Sequence, residues 1–125
     1  MPSASVQRSP RVMVVDDHFA SGDLLREILT MEGYAVCVAN CGRDALAMSQ
    51  EFKPQIALLD IGLPDMDGFA LAKQLKAEPH LGEIRLIALS GYSQPADSAS
   101  WEGFDHYLVK PVDVDQLLSL LQRLP

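Results

Sequence analysis

Asp16, Asp17, Asp60, Ser90 and Lys110 are the residues of this sequence whose types and placement suit chemistry. Each lies just past a short apolar run of the kind that forms a buried strand: Val-Met-Val-Val at 12–15, Ile-Ala-Leu-Leu at 56–59, Ile-Arg-Leu-Ile-Ala-Leu at 84–89 and Tyr-Leu-Val at 107–109. In an open parallel sheet the carboxyl ends of the strands form one edge, and ligands bind in the crevice there. Three carboxylates, a hydroxyl and an ammonium that are far apart in the chain thereby become neighbours. Carboxylates about 5 Å apart at an effective dielectric near 20 repel pairwise by roughly 3 kcal/mol. Such a cluster suits a bound cation, and hard oxygen ligands beside a phosphate point to Mg²⁺. The set can hold a divalent cation and a phosphoryl group together, with Lys110 as a point charge for a phosphoryl oxygen and Ser90 as a hydrogen-bond donor to another.

The elements that must position these groups alternate regularly. A helix after Asp17 carries Leu24, Leu25, Ile28 and Leu29 on its predicted buried face and stops near Gly33. A strand follows at 35–39, then a helix from about Arg43 to Phe52 that Pro54 prevents from continuing. Beyond the third strand Pro64 and Gly68 bracket a turn, and Phe69, Ala72 and Leu75 mark a third helix. A fourth helix near Pro95 is weakly apolar, with Ala96, Ala99 and Trp101 to bury. The fifth starts at Asp113, a plausible N-cap, and buries Leu117, Leu118, Leu121 and Leu124. Five successive βα units demand right-handed crossovers and a parallel sheet with helices on both faces, a doubly wound α/β domain.

Composition narrows the class further. The chain has 125 residues, enough for one core, and 48% of them are hydrophobic. No apolar run approaches the roughly 18 residues of a membrane span, and the N-terminus lacks a charged-then-apolar signal pattern. The expectation is a soluble cytoplasmic domain without membrane contact. A net charge of −7 argues against a broad nucleic-acid surface. Cys37 and Cys41 form neither a disulfide framework nor a zinc site; Cys37 reads as a small core residue and Cys41 as a loop residue. His18, His80 and His106 form no recognisable metal set, and His18 reads as a surface residue at a helix start. Residues 1–10, rich in Ser and Pro, read as a leader or linker to a domain over 11–125.

Taken in order, Val-Val-Asp-Asp at 14–17, Leu-Leu-Asp-Ile-Gly-Leu-Pro-Asp-Met-Asp-Gly at 58–68, Ala-Leu-Ser-Gly at 88–91, Gly-Phe-Asp at 103–105 and Tyr-Leu-Val-Lys-Pro at 107–111 resemble the receiver domain of two-component response regulators. The resemblance spans nearly the whole chain. It implies a flavodoxin-like (βα)5 fold with strand order 2-1-3-4-5. It implies that Asp60 accepts a phosphoryl group from a phosphohistidine on a histidine kinase or histidine phosphotransfer protein. It also implies that Asp17, Asp60 and the Gly62 backbone carbonyl ligate Mg²⁺, with Asp16 acting through a bound water. In such a switch Ser90 moves toward the phosphoryl group and Tyr107 turns inward, changing the surface formed by the fourth helix, fifth strand and fifth helix for a downstream protein partner. A cis peptide at Lys110-Pro111 is a further implication, with Pro111 in a structural role.

Some positions depart from that pattern. Gly62 and Tyr92 stand where receivers often carry polar side chains that influence phosphoryl hydrolysis, so the phosphorylated state is expected to be comparatively long-lived. Glu102 replaces a usually small residue before Gly103. A haloacid-dehalogenase-type phosphatase also uses an aspartate nucleophile and Mg²⁺, but it needs a D-x-D motif that is missing after the first strand. A phosphate-independent, receiver-shaped binding module is the remaining alternative. As an isolated module the domain is a monomer or weak dimer and no enzyme in its own right. Its parent is either a freestanding regulator or a hybrid sensor histidine kinase ending in this receiver.

Overall fold

The computed structural model describes residues 10–90 and 103–123. Five strands, β1 (Arg11–Val15), β2 (Ala35–Ala39), β3 (Ile56–Asp60), β4 (Arg85–Ser90) and β5 (His106–Val109), form one parallel sheet in the order β2-β1-β3-β4-β5. The helices among the described residues are α1 (Phe19–Met31), α2 (Gly42–Phe52), α3 (Gly68–Ala77) and α4 (Val114–Arg123), with a 3-10 turn at Pro79–Leu81. The expected helix near Pro95, with Trp101, and the positions Tyr92, Glu102 and Leu124 lie outside the described residues, so α4 is the helix expected fifth.

Successive strand residues point to opposite faces, and both faces are covered. Met13, Val15, Ala57 and Leu59 pack with Ala45 of α2 and with Leu71, Ala72 and Leu75 of α3. Val12, Val14 and Leu58 pack with Leu25 and Leu29 of α1 and with Leu117, Leu120 and Leu121 of α4. This two-sided burial explains why the central strands read as unbroken apolar runs instead of alternating ones.

The helix faces differ from the sequence expectation in detail. Leu24 is 58% exposed, whereas Gly22 takes the buried position. A Cβ at Gly22 would lie 2.9 Å from Val38 Cγ1, so the helix sits close against β2 and turns Leu24 toward solvent. In α4 the buried set is Leu117, Leu120 and Leu121, and Leu118 is half-buried. Cys37 is half-buried against the core, and that burial pushes its thiol up to about 11.

Helix ends follow local chemistry. Gly33 adopts φ +98° after α1, and the Gly33 and Tyr34 N–H groups donate to Thr30 and Leu29 carbonyls, a Schellman ending that favours glycine. Lys53 ends α2 in the left-handed region (φ 51°), as its neighbour Pro54 disfavours a helical conformation there. Asp113 accepts a hydrogen bond from the Gln116 N–H at 3.1 Å, which caps α4 as expected.

Asp105 fastens β5 to β4. Its carboxylate accepts the Leu86 N–H at 2.8 Å, its own N–H donates to the Leu86 carbonyl at 2.7 Å, and Arg85 and Lys76 lie 3.5 and 3.7 Å from its oxygens. Leu86 is fully buried, so removing the acceptor strands a buried donor. Asp105→Ala is expected to cost about 1–3 kcal/mol in urea-monitored unfolding; a change near zero would show that water replaces the carboxylate.

Candidate phosphoacceptor site

Parallel pairing sets the strand ends level. Asp60, the last residue of β3, pairs with Leu89, and Ser90, the last of β4, pairs with Val109. Val15 pairs with Leu59, so Asp16 leaves β1 next to Asp60. Lys110 leaves β5 after Val109, its N–H donating to the Ser90 carbonyl at 2.7 Å, and the Lys110-Pro111 peptide is cis. The four strand ends thus bring Asp16, Asp17, Asp60, Ser90 and Lys110 to one edge.

The contacts are short and mostly charged. Lys110 Nζ donates to Asp60 Oδ2 at 2.8 Å and lies 3.3 Å from Asp16 Oδ2. The Gly62 N–H donates to Asp60 Oδ1 at 2.9 Å. Asp16 is 1% exposed; its Oδ1 accepts the His18 N–H at 2.9 Å, and its main-chain carbonyl accepts from Asn40 at 3.1 Å. Asp60 and Ser90 are also buried. Burial alone would raise the Asp60 carboxyl, but Lys110 and the Gly62 N–H outweigh it and hold Asp60 below the usual carboxylate range. Lys110 is held above its ordinary value, burial being outweighed by Asp60 and Asp16. At neutral pH the lysine is an ammonium and Asp60 is an ionised carboxylate.

The donor set fits a hard divalent cation. Ligand atoms of Asp16, Asp17, His18 and Asp60 all lie within 4.8 Å of one another. Two ligands on opposite sides of one Mg²⁺ stand about 4.2 Å apart, so only a small contraction is needed. Among the described residues Asp16 Oδ2 and Asp17 Oδ1 are buried without a hydrogen-bond partner, which leaves lone pairs for a metal to occupy. His18, read from sequence as a surface residue, is exposed but stands beside the cluster, its Nδ1 3.3 Å from both Asp16 Oδ1 and Asp17 Oδ1.

The loop from Ile61 to Asp67 is held on two sides. A Cβ at Gly68 would fall 2.5 Å from Ile61 Cα, and the Gly68 N–H donates to the Ile61 carbonyl, so glycine permits the loop to close directly behind Asp60. Asp67 caps its own helix by accepting the Phe69 N–H at 2.7 Å. Asp65 was not singled out from sequence, because it caps a different helix. Its oxygens accept the Gly42 and Arg43 N–H groups at 2.8 and 2.9 Å, joining the loop to the start of α2. No local spacing signals a cap supplied from more than twenty residues away.

The Gly42 and Arg43 N–H groups hold the Asp65 carboxyl below its ordinary 3.8. A carboxyl depressed by folding adds stability above its unfolded pKa, and that contribution is lost as pH falls through the folded value. Asp65→Asn is therefore expected to be less stable than the wild type at about pH 7, with the gap narrowing as pH falls below about 4. A gap that is independent of pH in urea titrations would contradict the charged cap.

The model of the response regulator receiver domain matches residues 12–122. The chain is 37% identical over 119 residues to the response regulator PleD of Caulobacter vibrioides, covering 93% of this chain and 26% of PleD, so it spans about a quarter of that relative's length. Among solved structures it is similar to the chemotaxis protein CheY4 of Vibrio cholerae, with a TM-score of 0.88 and 28% identity over 94% of this chain and all of CheY4. It is likewise similar to the response regulator TrrA of Thermotoga maritima, solved in complex with Mg²⁺-BeF, with a TM-score of 0.81 and 29% identity over 91% of this chain and 97% of TrrA. These matches run through the strand ends that carry the acidic cluster, and the chain belongs to the response regulator receiver domain family.

Proposed function

We propose that Asp60 is the phosphoacceptor of a two-component phosphorelay and that Asp16, Asp17, Asp60 and the Gly62 carbonyl hold Mg²⁺. The observation that carries this reading is the Asp60 carboxylate itself, buried at a strand end, ionised, and touched by the Lys110 ammonium at 2.8 Å. An Asp60 oxygen attacks the phosphorus of a phosphohistidine; the P–N bond breaks, and the donor imidazole leaves with its electron pair and takes up a proton. When bound, Mg²⁺ offsets the negative charge that would otherwise repel the incoming phosphoryl group. Lys110 neutralises one phosphoryl oxygen and Ser90 donates to another. A cavity of about 430 Å³ beside α1, lined by Asp16, Ser21, Leu25, Lys110 and Val112, adjoins these groups and offers an approach for the donor. The donor's source is a histidine kinase or a histidine phosphotransfer protein.

Phosphorylation leaves roughly two negative charges where the Asp60 carboxylate had one, with new acceptor oxygens. Ser90 turns toward the phosphoryl group, and Tyr107 follows from its present outward setting, in which it is 40% exposed on the edge strand β5. A change at β5 and α4 is the signal read by a downstream protein. The domain itself is a signalling switch in the cytoplasm and not a free-standing enzyme. Among the described residues no helix is long and apolar enough to cross a membrane.

Incubation with acetyl phosphate and Mg²⁺ should add one phosphoryl group to the intact mass. The gain should vanish with EDTA and in Asp60→Asn. A gain of the same size in Asp60→Asn would overturn the assignment, and no gain together with no beryllofluoride binding would favour a phosphate-independent binding module. Lifetime gives a second readout. Among the described residues a Cβ at Gly62 would meet Asp60 Oδ1 alone, at an ordinary 3.6 Å, so they leave room for a side chain there. Gly62→Asn, which can orient an attacking water, should shorten the phosphorylated state; an unchanged decay rate would remove Gly62 as the cause of a long lifetime.

A further inference from the structure

His18 stands where an imidazole can join the carboxylates around a cation. Its backbone is fixed: the N–H donates to Asp16 Oδ1, and its carbonyl accepts the Gly22 N–H at 3.1 Å as α1 begins. Its side chain is 70% exposed, so the ring can rotate without disturbing the core. Nδ1 nevertheless lies 3.3 Å from Asp16 Oδ1 and 3.3 Å from Asp17 Oδ1. Two ligands of one ion at about 2.1 Å are about 3.0 Å apart at adjacent octahedral positions and about 3.4 Å apart in a tetrahedron. The imidazole is therefore already at ligand spacing from both carboxylates. Among the described residues Asp17 Oδ1, one of those two partners, is buried without a hydrogen bond, and Asp16 Oδ2 lacks one too, although the Lys110 ammonium is 3.3 Å away. A shared cation would satisfy this arrangement better than a single imidazole proton, which cannot serve both carboxylates at full strength.

We propose that His18 Nδ1 is a direct ligand of the divalent cation, giving a nitrogen-containing site that prefers first-row transition ions over Mg²⁺. This rests on the reading of the acidic cluster as a cation site. An all-oxygen cluster suits Mg²⁺ and Mn²⁺, whereas an imidazole raises affinity along the series toward Ni²⁺ and Cu²⁺. His18 thus acts as a specificity-determining residue, setting which metal supports phosphoryl transfer when several are available.

The test uses untagged protein and Mn²⁺ as the probe. Electron spin-echo modulation of bound Mn²⁺ should show a directly coordinated ¹⁴N, and the signal should vanish in His18→Ala. His18 makes no side-chain cap of α1, so alanine removes the ligand without uncapping the helix. Competition against Mn²⁺ should show the preference for Ni²⁺ over Mg²⁺ falling about tenfold or more in His18→Ala, the size of loss usual when a group supporting a metal site is removed. Mg²⁺ affinity should fall much less, because that hard ion gains little from an imidazole. Mn²⁺ that binds without ¹⁴N coupling, with Asp17→Asn abolishing that binding, would overturn the role of His18 and leave the cation site standing. Mn²⁺ that does not bind at all would overturn both.

Discussion

Asp16, Asp17 and Asp60 crowd together at the ends of two adjacent strands, and the Lys110 ammonium reaches only Asp60 and Asp16 among them. Repulsion of roughly 3 kcal/mol for each close pair of carboxylates is what the rest of the domain has to hold in place. The lysine and the Gly62 N–H do so for Asp60, keeping it ionised despite its burial. Asp17 Oδ1 is buried and, among the described residues, accepts no hydrogen bond, with His18 Nδ1 3.3 Å away. The local excess of negative charge makes the edge receptive to a cation, and a phosphoryl group becomes tolerable there only once that charge is offset.

Features far from the chemistry serve this arrangement. Parallel register aligns four strand ends to within a residue, and helices on both faces bury the central strands β1, β3 and β4. Gly68 lets the loop close behind Asp60, while Asp65 fastens that loop to α2 through two backbone donors. Asp105 secures β5 to β4 and so fixes the strand from which Lys110 emerges. Asp60 is thus supported from the α2–α3 layer as well as from the sheet. Exposure lies at the margins, in Tyr107 on the edge strand and in His18 at the start of α1.

Much of this was legible in the sequence because the physics is local. Apolar runs followed by acidic or basic residues marked the strand ends, and Gly33, Pro54 and Asp113 marked helix boundaries that the structure reproduces within one or two residues. Strand order came from the receiver resemblance, since periodicity carries no information about which strands pair. Leu24 was misread because leucine at helical spacing suggests burial, whereas close packing of Gly22 on β2 rotates the helix and exposes it. Asp65 and Asp105 were unreadable as anchors for a related reason: their partners, Gly42, Arg43 and Leu86, are about twenty residues away in the chain. His18 was set aside because a histidine beside acids has no signature until the fold shows how near its ring lies to two carboxylates.

The central claim is that like charge held together by the fold creates the cation site. Its most direct test is the urea midpoint of unfolding measured with saturating Mg²⁺ and with EDTA, in the wild type and in Asp17→Asn. A ligand that binds only the folded state stabilises it by RT ln(1 + [L]/Kd), about 2.7 kcal/mol at a hundredfold excess over Kd. The account predicts a midpoint in the wild type that rises and saturates with Mg²⁺, and no such rise in Asp17→Asn. A wild-type midpoint indifferent to Mg²⁺, or an equal rise in the variant, would contradict it.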